Sequence, residues 1–139
     1  MQAESDSARA AIEQMAARFA EHFSAGRADS MAAMYSEDAH VMPPNMAEVS
    51  GRAGVQQMLQ AFMSQMPGTR LSLHVASVTA NGPMAVARGH WRMSTPEGTP
   101  VDSGVYMERW RRSDGQWMLV DDIWNSSAPL PPPPPARRR

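Results

Sequence analysis

Val105–Asn125 reads VYMERWRRSDGQWMLVDDIWN, and the fold follows from it. Two apolar-rich runs flank Ser113-Asp114-Gly115-Gln116. An Asp-Gly pair between such runs marks a tight hairpin, because glycine tolerates the positive φ that the turn needs. Three of the four tryptophans, Trp110, Trp117 and Trp124, fall here. Large rings bring the most burial energy per residue, so the sheet that buries them holds the core. The final run, Asp121-Asp122-Ile123-Trp124-Asn125, sets acids and an amide among apolar groups. By strict alternation Asp122 and Trp124 share one sheet face with Met118 and Val120, and Trp117, Leu119, Ile123, Asp121 and Asn125 share the other.

Upstream, the same pattern extends to a four-strand meander. Leu71, Leu73 and Val75 alternate with polar or small residues, Asn81-Gly82 turns the chain, and Ala85–Met93 alternates again. Pro96-Glu97-Gly98 turns it once more, into Ser103–Arg112 and then Gln116–Asn125.

Before residue 70 the period is helical. Ile12, Met15, Phe19 and Phe23 form one stripe of a helix expected over 8–24, with cap oxygens from Ser5, Asp6 and Ser7 and residues 1–7 frayed. Asp29 caps a short second helix carrying Met31, Met34 and Tyr35, which Ser36-Glu37-Asp38 ends. Ala39–Met42 is a short strand closed by Pro43-Pro44, at an edge or terminating there because proline lacks the amide donor. Residues 45–50 read as a loop, and a third helix over 51–66 shows Val55, Met58, Leu59, Phe62 and Met66 on one face. Helices collect ahead of the sheet, which predicts an α+β domain over 8–127: a cone of three N-terminal helices packed on a curved antiparallel sheet. Residues 128–139, rich in proline and ending in three arginines, read as a disordered extended tail.

Composition removes several functions. With 139 residues there is room for one domain. No cysteine is present, so thiol chemistry and thiolate metal sites are out. The net charge is −1 and the basic cluster is terminal, which argues against a nucleic-acid partner. No apolar run is long enough for a membrane span, and the polar, acidic start is unlike a signal peptide, so the expected location is the cytoplasm. His22, His40, His74 and His90 lack metal-ligand spacing. No phosphate loop and no Gly-x-Ser-x-Gly elbow occurs, so neither metal nor cofactor is expected.

The order of elements and several local strings resemble the SnoaL-like, ketosteroid-isomerase-like branch of the nuclear transport factor 2-like superfamily. These strings are Met34–Ala39 leading into Val41-Met42-Pro43-Pro44, then Ser50–Val55, Ala87-Arg88-Gly89, Tyr106 to Arg112 with Asp114-Gly115 and Trp117, and Asp122–Ser126. The resemblance covers about residues 8–127. It implies a cystatin-like cone whose wide end is a pocket for a small apolar or polyketide-like molecule. It also implies a bacterial source and a homodimer packed through the outer sheet face. In ketosteroid isomerases a general-base aspartate precedes a proline after the first short strand; here that position is Pro43 or Met42, and neither takes a proton. The isomerases' first-helix tyrosine has no counterpart either, since the inward positions there are Met15, Phe19 and Phe23. Relatives resembling limonene-epoxide hydrolases use an Asp-Arg-Asp set, for which Asp122, Arg109 or Arg88, and Asp102 are the matching residue types.

Two functional readings stand. In one, the chain is an acid–base enzyme: a cyclase, isomerase or epoxide-opening hydrolase. Asp122 is its acid or base, raised in pKa by apolar surroundings, and His90 or His40 is the partner, because imidazole titrates near neutral pH. The pocket is expected to be lined by Phe19, Tyr35, Met42, Asn45, Met58, Phe62, Trp91 and Trp124, with Asn125 or Tyr35 donating to an oxyanion. In the other reading the same fold binds a ligand or another protein without catalysis. The discriminator is whether two titratable groups face each other inside the pocket, or Asp122 is tied to arginine.

Overall fold

The computed structural model describes residues 2–129 and 132–137. Met1 and tail positions 130, 131, 138 and 139 lie outside the described residues. The order is α1 (Gln2–Ser24), α2 (Ala28–Ala32), β1 (Tyr35–Met42), β2 (Val49–Ser50), α3 (Arg52–Gln65), β3 (Arg70–Asn81), β4 (Met84–Ser94), β5 (Pro100–Ser113) and β6 (Gln116–Trp124). The strands form one six-stranded sheet in the order β2-β1-β6-β5-β4-β3. Only the β1–β6 pair is parallel.

The meander stands as the alternation requires. Asp114 and Gly115 both adopt positive φ, 52° and 76°, in the turn that joins β5 to β6. The helices α1, α2 and α3 precede it, and α3 follows the expected strand β1 and a second, unexpected one, β2. Ile12 and Phe23 are buried on α1, with Met15 and Phe19 packed against the same core. Val55, Met58 and Leu59 come in from α3, and Trp110, Trp117 and Leu119 from the hairpin.

The expected boundaries shift in four places, each for a tertiary reason. Helix α1 begins at Gln2, not residue 8, and Ser5 serves the sheet: its hydroxyl accepts from the Ala80 amide at 3.0 Å. Tyr35 leaves the second helix and opens β1, because Met34 gives its carbonyl to the Leu119 amide (3.0 Å) and Tyr35 pairs with Leu119. Val49-Ser50, expected as loop, pairs with β1 and takes the sheet edge, so β1 is interior and Pro43 simply follows its end. Finally, β6 carries a bulge. Arg109 faces Asp121 and Trp110 faces Leu119, leaving Val120 without a partner on β5. Beyond the bulge the alternation inverts, so Trp117 and Leu119 join the core on the face of Asp122 and Trp124, against the expectation that they oppose them.

Past Trp124, residues 125–129 and 132–137 belong to no helix or strand. Among the described residues no helix is long and apolar enough to cross a membrane.

Candidate functional site

The open end of the sheet encloses a pocket of about 320 Å³. Helix α3 contributes Phe62 and Met66, β3 contributes Leu71 and Leu73, and β4 contributes Trp91 and Met93. Pro44, Asn45 and Met46, just after β1, form part of the rim; Asn45 holds a positive φ of 61° there. Asn45 and Ser126 are polar, β5 adds Asp102, Tyr106 and Glu108, and β6 adds Asp122.

Asp122 is 5% exposed. Its Oδ2 accepts a 2.7 Å hydrogen bond from the hydroxyl of Tyr35, which is itself 1% exposed. Two neighbours hold Tyr35. The Arg52 guanidinium donates twice to its carbonyl, at 3.0 and 2.8 Å, and Phe19 packs on its ring with centroids 6.1 Å apart. Burial raises the Asp122 carboxyl to about 6, against the smaller downward pull of the Tyr35 bond. The same desolvation, with the Asp122 charge, pushes the Tyr35 hydroxyl well up.

Directly across the β5–β6 ladder from Asp122 stands Glu108. Opposed side chains in an antiparallel pair have Cβ atoms about 4.5–5.5 Å apart, so the two carboxyls share one site. Desolvation first, and the Asp122 charge second, push Glu108 well above the usual carboxylate range, while the Trp110 indole N–H, 3.2 Å from Oε1, opposes the shift. Two acids so placed cannot both ionise cheaply, and the pair retains a proton into the neutral range. The Tyr35 bond favours the charged form of Asp122, which draws the shared proton toward Glu108. The proton therefore resides on Glu108, with Asp122 as carboxylate.

Two glycines let the aromatic wall approach the backbone. A Cβ on Gly104 would lie 2.6 Å from the Trp91 indole nitrogen, which donates to the Asn125 carbonyl at 3.1 Å. A Cβ on Gly89 would lie 2.5 Å from the Tyr106 hydroxyl, which reaches across β4 to the His74 carbonyl. At the rim, Asp102 ties down the chain after β6: its Oδ2 accepts from Ser126 Oγ (2.6 Å) and its Oδ1 from the Ala128 amide (3.0 Å).

Of the residues singled out in the sequence, Asp122, Asn45, Phe62, Trp91 and Trp124 line this pocket. Tyr35 and Phe19 lie behind it, as support for Asp122. Met58 is in the core and Met42 is paired with Ile123 at the end of β1; neither is in the lining. Asn125 lines a depression on the outer side of the sheet, its Oδ1 accepting from the Val105 amide. His90 is on that outer side too, stacked on His74 at 6.1 Å, away from Asp122. His40 is exposed and bonded to Glu48 at 2.9 Å. Arg109 pairs with Asp121, and Arg88 lies on the outer side, so no Asp-Arg-Asp set converges. Glu108 was missed. Its signal was present, since it alternates with Tyr106 and Trp110 on one strand face, where a carboxylate is out of place.

Fold and site define an α+β cone of cystatin-like architecture with a small-molecule-sized pocket at its open end. The SnoaL-like domain model matches residues 16–120, and the chain belongs to that family. A protein of unknown function from Nostoc punctiforme has the same fold, with a TM-score of 0.80 at 18% identity, over 88% of this chain and 93% of that one. A nuclear transport factor 2-like protein from Novosphingobium aromaticivorans superposes with a TM-score of 0.74 at 22% identity, over 84% and 80% of the two chains. A Xanthomonas campestris structure named as a calcium/calmodulin-dependent protein kinase II association domain gives 0.71 at 13% identity, over 86% and 87%. No curated protein sequence matches this chain.

Proposed function

We propose that this protein is an enzyme that applies general acid–base chemistry to a small apolar molecule, in an isomerisation, cyclisation or epoxide opening. The observation that carries this reading is the opposed pair Glu108 and Asp122 at the polar end of an apolar pocket. Among the described residues Asp122 is not tied to arginine; its partner is Tyr35. Asp122 acts as the base, Glu108 as the acid, and Tyr35 positions Asp122. Glu108 takes the place considered for His90 or His40, which stand outside the pocket. A base poised near the working pH, shielded from water, is the arrangement that proton abstraction needs.

Kemp elimination of 5-nitrobenzisoxazole tests this without knowledge of the natural substrate. A buried carboxylate removes the ring C–H proton, the N–O bond breaks, and its electron pair leaves on the phenolate oxygen, seen by absorbance. The rate is expected to rise with pH through about 6, and to fall roughly 100-fold or more in Asp122→Asn. A rate equal to that of free acetate, untouched by the substitution, rejects the reading.

The chain is also proposed to pair with a second copy through the outer sheet face. Val105, Met107 and Ile123 stand there 46%, 51% and 47% exposed, on adjoining strands in register. Contiguous apolar surface of this kind commonly marks an interface.

A further inference from the structure

The charges around the pocket are one-sided. Asp102, Glu108 and Asp122 line it, and among the described lining residues there is no arginine or histidine. The neighbouring arginines are engaged elsewhere: Arg109 with Asp121, Arg111 with Asp38, and Arg112 over the Trp117 ring. Asp122 uses one oxygen on Tyr35, and its Oδ1 takes no hydrogen bond from the described residues. A side chain this buried that leaves an acceptor open into a cavity awaits a donor from the ligand. Around it stand Trp91, Trp124 and Tyr106, whose ring faces attract cations. The far wall, Phe62, Met66, Leu71 and Leu73, is wholly apolar.

From this arrangement we infer that the pocket takes a hydrophobic amine, bound as its ammonium. The N–H groups face Asp122 Oδ1 and the Glu108 side, and the hydrocarbon body lies against Phe62, Met66, Leu71 and Leu73. A carboxylate or phosphate ligand would meet like charge with no counter-ion in the wall. A neutral ligand of the same shape would fill the apolar part and leave the Asp122 charge uncompensated. The inference rests on the reading of this pocket as the reaction site, and it names a ligand class: an ammonium on Asp122 Oδ1 covers the base and so competes with proton abstraction.

The test compares three probes with one apolar body: 2-naphthylmethylamine, 2-naphthylmethanol and 2-naphthoate. Binding is measured by calorimetry on the full chain at pH 7.5. The amine is expected to bind at least tenfold tighter than the alcohol, and the naphthoate not at all. Asp122→Asn, its fold checked by circular dichroism, is expected to bring amine and alcohol within about threefold of each other. Glu108→Gln, which keeps a neutral group where the proton resides, is expected to keep most of the preference. Alcohol binding as tight as amine binding overturns the inference while the acid–base reading stands. So does binding of none of the three while Kemp elimination proceeds. Absence of both binding and elimination removes the reading itself, and the inference with it.

Discussion

Tyr35 and Asp122 are 87 positions apart in the chain, yet the Tyr35 hydroxyl donates a 2.7 Å hydrogen bond to Asp122 inside the protein. That bond joins the first residue of β1 to the last strand and pulls the Asp122 carboxyl down against the upward push of burial. Tyr35→Phe is expected to move the pH midpoint of Kemp elimination above about 6. It should also cost about 1–3 kcal/mol in urea unfolding at pH 8, because a buried charge loses its donor. An unmoved midpoint would mean that Tyr35 does not set the protonation of Asp122.

Stability should fall as pH rises through the acid range. The Asp122 carboxyl sits at about 6 in the folded protein against an ordinary 3.8, and Glu108 is raised as well. Between those values the folded protein holds a proton that the unfolded chain has released. The favourable contribution is thus complete below about pH 4 and lost as pH climbs past 6. At roughly 1.4 kcal/mol per pKa unit the Asp122 share is on the order of 3 kcal/mol. Urea unfolding of the wild type and of Asp122→Asn at pH 4.5 and pH 8 checks this. The variant should gain relative to wild type at the higher pH, and parallel curves would contradict it.

Gly104→Ala should destabilise the sheet by about 1–3 kcal/mol, the usual cost of forcing an extra carbon into close packing. The new methyl group would press on the Trp91 indole and the Asn125 carbonyl that it contacts. Thermal unfolding followed through tryptophan fluorescence reads both the loss and any change around Trp91. A variant as stable as wild type would show that the backbone there yields freely.

Met107→Glu should split the proposed pair of copies without unfolding either one, since Met107 is 51% exposed on the outer face. Sedimentation velocity is expected to give a dimer for the wild type and a monomer for the variant, with unchanged circular dichroism. A wild-type monomer at all concentrations would show that this face serves another purpose.

What was legible in the sequence was local. Asp114-Gly115 declares its turn because positive φ at two successive residues is a property of those residues and their neighbours. The stripes of α1 and α3 are legible for the same reason, as is Asp122 as a carboxylate among apolar groups. Tyr35 was misplaced because it continues the helical spacing of Met31 and Met34. Only the ladder to Leu119 and the Arg52 clamp draw it into a strand. Strict alternation puts Trp117 and Leu119 on the wrong face because it allows no bulge, and the extra residue Val120 emerges only in the pairing of β5 with β6.

The chain by itself determined the class: an α+β cone closed by the Val105–Asn125 hairpin, since periodicity and turn chemistry are written in neighbouring residues. The chemistry of the pocket was decided only by the tertiary structure. Whether Asp122 meets an arginine, a histidine or Glu108 depends on strand register: the Asp114-Gly115 turn alone would set Glu108 opposite Asp121, and the bulge at Val120 moves it onto Asp122.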